Sequence, residues 1–183
     1  MSQAATLATK PQDKTTALHP THQTIPHHIR GQIVELLQTR VSEGIDLTYQ
    51  VKQAHWNVRG PRFFSLHKLF DKTYEHLQDN VDTIAERLVQ LGGIAQGTIR
   101  SAVKISKLPD YPVGYITEDE HIELVSRGLA NFSQTLRDDI ERFAEWEDPG
   151  SADVLTEVIR AVDKDLWMVE AHRKSGNAQA KAG

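Results

Sequence analysis

Four side chains between residues 67 and 86 are of types that bind metal ions, and their spacing is regular. His67 and Asp71 are four residues apart, and so are Asp82 and Glu86. Residues four apart lie on one face of an α-helix, so each pair can reach one metal ion. The chain has no cysteine, so any metal must be held by nitrogen and oxygen donors. The pattern predicts a site built from histidine and carboxylate side chains.

All four candidates fall on one stripe of the predicted helix. At about 100° per residue, Asp71, Asp82 and Glu86 lie within about 100° of His67. The large apolar side chains of the segment occupy another arc, at roughly 200° to 320°. They are Leu66, Leu69, Phe70, Leu77, Val81, Ile84 and Leu88. We therefore expect the candidate ligands to face away from the subunit's own core.

The two pairs are too far apart along the helix to share one ion within a chain. At about 1.5 Å per residue, Asp71 and Asp82 are about 16 Å apart, and His67 and Glu86 about 28 Å. Either the chain carries two half-built sites or a second copy completes each one. If two copies of the helix pack antiparallel about a two-fold axis near residues 76–77, the first pair of one chain meets the second pair of its mate. The spacing then predicts two identical intersubunit sites in an obligatory dimer.

His55 is the fifth candidate ligand. It stands near the end of the preceding helix, and a turn marked by Gly60 and Pro61 returns the chain close to His67. A lone histidine of this kind is usually a satisfied packing residue, and charge pairs on a helix are usually solvated, so the set as a whole carries the argument. Two histidines and three carboxylates suit Fe(II), Mn(II) or Zn(II), and open positions on Fe(II) would admit dioxygen or peroxide. The donor set alone leaves the choice among these three metals open.

The rest of the chain predicts a series of helices that would hold these residues. Apolar spacing of three and four predicts one helix from about Ile29 to His55 and another from about Phe64 to Leu91. The stretch 94–116 contains glycines and prolines and predicts a crossover with one short helix at 98–106. A third long helix is predicted to start at Thr117, which forms a capping-box pattern with Glu120. A fourth is predicted to start at Asp148, which is followed by a proline suited to the first turn. Two hairpins joined by one long connection indicate an all-α, ferritin-like four-helix bundle.

Composition limits the remaining choices. The 183 residues suffice for one domain, which we place at residues 25–170 between flexible tails at 1–24 and 171–183. No apolar run is long enough for a membrane span, and no segment suggests secretion, so we expect a cytoplasmic protein. The net charge of −4 argues against a uniformly basic nucleic-acid binder.

Taken together, several segments resemble one known family. They are Lys52–Gly60 (KQAHWNVRG), then His67 and Asp71, then residues 82–87 (DTIAER) and 90–93 (QLGG). This set is similar to the signature of the Dps proteins, or mini-ferritins, named as DNA-binding proteins from starved cells. The helical pattern extends the resemblance over about residues 25–170.

The resemblance implies a hollow dodecamer that oxidises Fe(II), preferably with hydrogen peroxide, stores ferric mineral and so protects the cell from oxidative damage. It implies that one subunit supplies His55, His67 and Asp71, and that its two-fold mate supplies Asp82 and Glu86. It also implies acidic pores for iron entry near the start of the last helix. There Asp153 is the clearest match, with Glu145 and Asp148 beside it.

Despite the family's name, we do not expect this chain to bind DNA strongly. Lysine-rich tails supply that affinity through phosphate neutralisation. Here Lys10 and Lys14 are opposed by Asp13, and the C-terminal tail offers only Arg173, Lys174 and Lys181, so we expect weak or no binding. The alternative function is a nucleoid-compacting structural protein with a vestigial or zinc-filled site.

Two further metal patterns are weaker. His19, His22, His27 and His28 form either a metal-binding tract or a flexible segment that happens to be rich in histidine, and we favour the second. Glu118 and His121 make a single Glu-x-x-His match, whereas a di-iron centre inside a bundle needs two. An intrasubunit di-iron oxygenase is therefore disfavoured.

Overall fold

The computed structural model describes residues 18–173, and this part of the chain contains five α-helices and no strand. The helices are α1 (His27–Asn57), α2 (Phe63–Gln90), α3 (Ile99–Ile105), α4 (Glu118–Glu145) and α5 (Pro149–Glu170). The all-α prediction and the predicted order of helices are confirmed. Most of both predicted tails, residues 1–17 and 174–183, lies outside the described part, and the division into tails and bundle stays a prediction. Within residues 18–173, no helix combines the length and apolar character that a bilayer-spanning segment requires.

The four long helices form two antiparallel hairpins around one apolar core. α1 packs mainly against α2, and α4 mainly against α5. Three phenylalanines, Phe70, Phe132 and Phe143, are fully buried in this core. Leucine, isoleucine and valine from all four helices complete the core, because their apolar positions recur every three or four residues.

Polar side chains of α1 hold the long connection between α2 and α4. Gln38 donates from Nε2 to the carbonyl of Gln96 at 3.2 Å and accepts from its backbone N–H at 2.7 Å. Twelve residues along α1, Gln50 donates to the carbonyl of Pro109 at 3.0 Å. These two anchor points are about 18 Å apart on the helix. The connection therefore runs lengthwise along α1, so that α4 begins at the end of the bundle where α2 begins.

The predicted helix starts are confirmed by their caps. Thr117 Oγ1 accepts from the N–H of Glu120 at 3.3 Å, and the Glu120 carboxylate accepts from the N–H of Thr117 at 2.7 Å, which is a capping box. Asp148 accepts from the N–H of Ser151 at 3.1 Å, and Pro149 opens α5. The two caps fix the direction in which α4 and α5 leave their turns.

The N-terminal approach to α1 contacts the end of α2. The N–H of His19 donates to the carbonyl of Gly92 at 2.7 Å, and Gln23 donates to the carbonyl of Gln90 at 3.2 Å. Gly92 has a φ of +89°, and a side chain there would meet the His19 carbonyl oxygen at 2.6 Å. A glycine is therefore required where the two segments cross.

One histidine of α4 lies in the interior. His121 is only 1% exposed, and its Nδ1 is 2.7 Å from the hydroxyl of Tyr111 in the connection. Burial disfavours the charged imidazolium and lowers the pKa of His121 from its ordinary value of 6.5.

Because this pKa is lowered on folding, the unfolded chain binds a proton at His121 more readily than the folded chain. We expect the stability that depends on neutral His121 to be present above about pH 6.5 and to be lost as the pH falls below it. A His121→Gln variant should show a smaller drop in thermal midpoint between neutral and mildly acidic buffer. Circular dichroism melts of wild type, this variant and the exposed-histidine control His22→Gln would check it. Equal slopes in all three proteins would contradict the expectation.

Candidate metal centre

The turn between α1 and α2 is fixed by the first residues of α4. Gly60 has a φ of +142°, and a Cβ there would meet the Glu118 carboxylate at 2.6 Å. Arg62 donates its backbone N–H to Glu118 at 2.7 Å and its Nε to the other carboxylate oxygen at 3.1 Å. Arg62 also pairs with Asp119. The turn is therefore held against the bundle, and it places the end of α1 beside the start of α2.

The two predicted histidine ligands meet across this turn. The His55 and His67 rings stack with centroids 3.8 Å apart and planes 20° apart. His55 Nδ1 lies 2.7 Å from the backbone carbonyl oxygen of His67, and His67 Nδ1 lies 2.9 Å from that of His55. A carbonyl only accepts, so each Nδ1 carries a proton. In the neutral form of each ring, Nε2 is then the nitrogen with a free lone pair, as in histidines that bind metals.

Asp71 joins the histidines one turn further along α2. Its Oδ1 lies 3.7 Å from His55 Nε2 and 2.5 Å from the Lys52 ammonium. The hydrogen bond from Lys52 is the main cause that lowers the pKa of Asp71, so this side chain is a carboxylate at neutral pH. His55, His67 and Asp71 thus lie in one neighbourhood of the chain, although these three side chains do not by themselves form a group that could hold a metal ion.

Asp82 and Glu86 lie on the same helix but not in the same cluster. Both side chains are exposed, and no hydrogen bond or ion pair between described residues engages either of them. Along the helix they are roughly 16 Å and 28 Å from Asp71 and His67, respectively. In the region 18–173, no group of three or more histidine and acidic side chains within one chain converges on a metal position. The sequence prediction that the stripe faces away from the core is confirmed, since Leu66, Phe70, Leu77, Ile84 and Leu88 on the other arc are buried.

The outward stripe of α2 also carries exposed apolar side chains at its two ends. Phe64 is 73% exposed and Val89 is 53% exposed. Phe64 and Val89, His67 and Glu86, and Asp71 and Asp82 are three pairs, each centred between residues 76 and 77. If a second copy of α2 packed antiparallel to the first, Phe64 of one copy would lie opposite Val89 of the other. The half with His67 and Asp71 would then face the half of the other copy that carries Asp82 and Glu86.

A shallow groove beside Asp82 extends this surface. It has a volume of about 320 Å³ and lies between α1, α2 and the segment leading into α3. Its lining includes Tyr49, Val81 and Ile99, and Tyr49 and Ile99 are 45% and 59% exposed. Exposed apolar groups in a continuous patch are typical of protein interfaces.

The three predicted pore residues are placed differently from one another. Glu145 and Asp153 are exposed at the end of α4 and the start of α5. Asp148 is 2% exposed, caps α5 and forms an ion pair with Arg87 at 2.9 Å. The carboxylate of Asp148 is thus paired within the chain, whereas those of Asp153 and Glu145 are exposed; the pore itself stays a prediction for all three residues.

The interior of the bundle offers no alternative metal site among the described residues. The buried carboxylates of Glu43 and Asp139 are both paired with Arg40. The Arg40 guanidinium contacts Glu43 and lies 2.7 Å from Asp139. In the Glu-x-x-His match, Glu118 pairs with Arg62, and the histidine contacts Tyr111.

The histidine-rich N-terminal segment does not form a metal-binding group in the described part of the chain. His19, His22, His27 and His28 are all exposed, and no three of them converge with each other or with acids. His27 and His28 begin α1, two residues before the start that the apolar pattern predicted.

Sequence reasoning missed Lys52 as a residue of the site. It precedes His55 by three positions, so the two share a face of α1, and that spacing was the available signal. A lysine is not a metal ligand in its charged form, which is why a search for ligand types passed over it.

Comparison with known proteins gives consistent matches. A family model described as a ferritin-like domain matches residues 34–177. The "DNA protection during starvation protein" of Agrobacterium fabrum is 35% identical over 154 residues, which are 84% of this chain and 95% of that protein. A solved Mycobacterium smegmatis Dps structure is 29% identical with a TM-score of 0.81, covering 86% of this chain and 94% of the other. DpsC from Streptomyces coelicolor is 27% identical with a TM-score of 0.83, covering 90% and 95%.

Proposed function

Because the chain belongs to the Dps family of mini-ferritins, within the ferritin-like domain family, we propose that it oxidises and stores iron at sites completed by a second subunit. One observation carries the proposal. The stripe of α2 that faces away from the core carries His67 and Asp71 beside His55 at one end, and at the other end two carboxylates that no described residue engages. An antiparallel mate would bring the two halves together.

The proposed ligands are His55, His67 and Asp71 of one subunit with Asp82 and Glu86 of its mate. The two Nε2 atoms are free to bind because both Nδ1 atoms are engaged with backbone carbonyls. Imidazole and carboxylate together suit Fe(II), and carboxylates also suit the harder ferric product. Zn(II) would accept the same donors and so compete for the site.

Fe(II) is a substrate in this proposal, and hydrogen peroxide is the preferred oxidant. Two Fe(II) ions each lose one electron, and one peroxide molecule accepts both, so that its O–O bond breaks and two hydroxide ions form. The chain's own residues bind the Fe(II) and fix its position beside a coordination place that stays open to the oxidant. Removal of both reagents would protect a cell from oxidative damage.

The proposal extends to a cytoplasmic shell of twelve subunits that encloses the ferric mineral. The exposed acids Asp153 and Glu145 are the residues we assign to an entry pore, because a ring of carboxylates concentrates cations. Exposed apolar side chains on α5, Trp167 at 64% and Met168 at 39%, support further contacts between subunits in addition to those of α2.

We propose that DNA binding is weak. Arg173 is the described basic residue of the C-terminal tail, and its guanidinium pairs with Glu123 at 3.0 Å and with Glu170 at 2.9 Å. Its charge is thus already balanced. The other tail lysines lie outside the described residues, and the net charge of −4 per chain opposes contact with phosphates.

Mixing the metal-free protein with Fe(II) and hydrogen peroxide tests the proposed function. We expect ferric absorbance to rise faster than in protein-free buffer, and the protein to retain the product in solution. A gel-shift assay with duplex DNA should show little retardation at about 0.15 M salt. Oxidation no faster than in buffer, together with a salt-sensitive gel shift, would instead favour the nucleoid-compacting alternative.

A further inference from the structure

We propose that Arg62 is a positioning residue of the metal centre, which holds the two histidine ligands against each other without binding the metal itself. This inference rests on the proposed function, because it concerns the site at which iron would bind. It follows from the contacts of Arg62, from its place at the start of α2 and from the narrow tolerance of the bonds between His55 and His67.

Arg62 ties the start of α2 to two distant segments of the chain. Its backbone N–H and its Nε donate to the two carboxylate oxygens of Glu118, at 2.7 Å and 3.1 Å. One terminal nitrogen of the guanidinium donates to the backbone carbonyl of His172, and the other pairs with Asp119. The Glu118 side chain is only 9% exposed. Charge-assisted bonds in such a partly buried place are stronger than ion pairs on an open surface.

The same residue fixes where α2 begins. Arg62 is the N-cap of α2, and its carbonyl accepts from the N–H of Leu66 at 3.0 Å and from the hydroxyl of Ser65 at 2.9 Å. Its backbone is thus held on both sides, by Glu118 at the N–H and by the first turn of α2 at the carbonyl. His67 directly follows Leu66 in that helix, so the position of Arg62 sets the position of His67.

The other side of the turn rests on the same carboxylate. A Cβ at Gly60 would lie 2.6 Å from Glu118 Oε1, so the backbone there is packed directly against Glu118. Val58, the residue after α1, is 1% exposed. The end of α1 and the start of α2 are therefore both located by Glu118, and Arg62 is the residue that holds Glu118 in place.

The bonds between the two histidines tolerate little change in the separation of the helix ends. The two contacts between Nδ1 and carbonyl oxygen are 2.7 Å and 2.9 Å long. An increase of about 1 Å would take both beyond hydrogen-bond range. Each ring would then lose the carbonyl that keeps a proton on Nδ1 and leaves Nε2 for the metal. Residues that support a ligand in this way typically contribute about 10- to 100-fold to metal affinity.

Calorimetric titration of the assembled full-length protein with Zn(II) tests the inference. In Arg62→Met, which keeps the side-chain stem and removes its charge and donors, we expect the Zn(II) affinity to fall by about 10-fold. The KM for Fe(II) should rise by a similar factor while kcat stays near the wild-type value. Arg137→Met is the matched control, because it removes a link from α4 to Asp163 of α5, away from the turn. It should keep the wild-type affinity and KM.

A second variant shows whether Arg62 acts through Glu118. Glu118→Gln keeps the shape of the side chain that Gly60 contacts, and it removes the charge that Arg62 needs. We expect the Zn(II) affinity of this variant to fall as in Arg62→Met, and the double variant to be no weaker than either single one, because both changes break the same link. Circular dichroism checks that each variant is folded at the temperature of the titration. If Arg62→Met fails to fold, Glu118→Gln carries the test.

The outcomes separate the inference from the function on which it rests. Wild-type Zn(II) affinity in the folded variants, or an equal loss in Arg137→Met, overturns the positioning role and leaves the proposed function standing. Losses that add in the double variant overturn the route through Glu118. A wild type with no Zn(II) binding that depends on Asp82 removes the proposed site itself.

Discussion

Replacing Asp82 with alanine is expected to abolish fast Fe(II) oxidation while leaving the helical fold intact. The Asp82 side chain is exposed and is engaged by no other described residue, so its removal leaves no buried partner unsatisfied. Alanine has a higher helix propensity than aspartate, so α2 itself should not be weakened. The expected loss therefore belongs to the metal site and not to the fold.

The size of the loss can be bounded from the chemistry of metal sites. Changing a residue that only supports a ligand typically costs about 10- to 100-fold in metal affinity or activity. Loss of a ligand should cost at least as much, so we expect the initial rate of ferric absorbance to fall by about 100-fold. Glu141→Ala is the matched control, because it removes an exposed carboxylate from α4, away from the site. Wild-type initial rates in Asp82→Ala would show that Asp82 is not a ligand.

The helices could be predicted from the sequence because their signals are local. Apolar residues at spacings of three and four marked α1 and α2, and the capping residues Thr117 and Asp148 marked the starts of α4 and α5. The same periodicity predicted that the candidate ligands lie on the side of α2 that faces away from the core. Helical angle is fixed by position in the chain, so this part of the geometry needed no tertiary information.

What could not be predicted depends on contacts between distant segments. His55 and His67 bond to each other's backbone carbonyls across a turn that is held by Glu118, which lies far along the chain. The ion pair of Asp148 with Arg87 likewise joins two segments that are far apart in the chain. The position of a charged side chain depends on the residue with which it pairs. Spacing along the sequence does not identify a partner that belongs to another helix.

Two inactive variants of this chain are expected to regain activity when they assemble together. The first carries Asp82→Ala and Glu86→Ala, and the second carries His67→Ala and Asp71→Ala. Neither variant can build a complete site on its own. In a mixed two-fold pair, the first variant supplies the histidine half and the second supplies the carboxylate half, so one of the two sites is intact.

The expected recovery follows from random pairing. In an equal mixture half of the pairs are mixed, and each mixed pair holds one working site of two, so activity should reach roughly a quarter of the wild-type rate. The measurement unfolds the two variants together, refolds them and follows the initial rate of ferric absorbance. The same variants mixed after separate folding serve as the control and should remain inactive. Sites confined to one chain would give no recovery under either protocol, because every chain in the mixture is defective. Restored activity thus depends on the arrangement inferred from α2, in which ligands that are too far apart within one subunit meet across a two-fold axis.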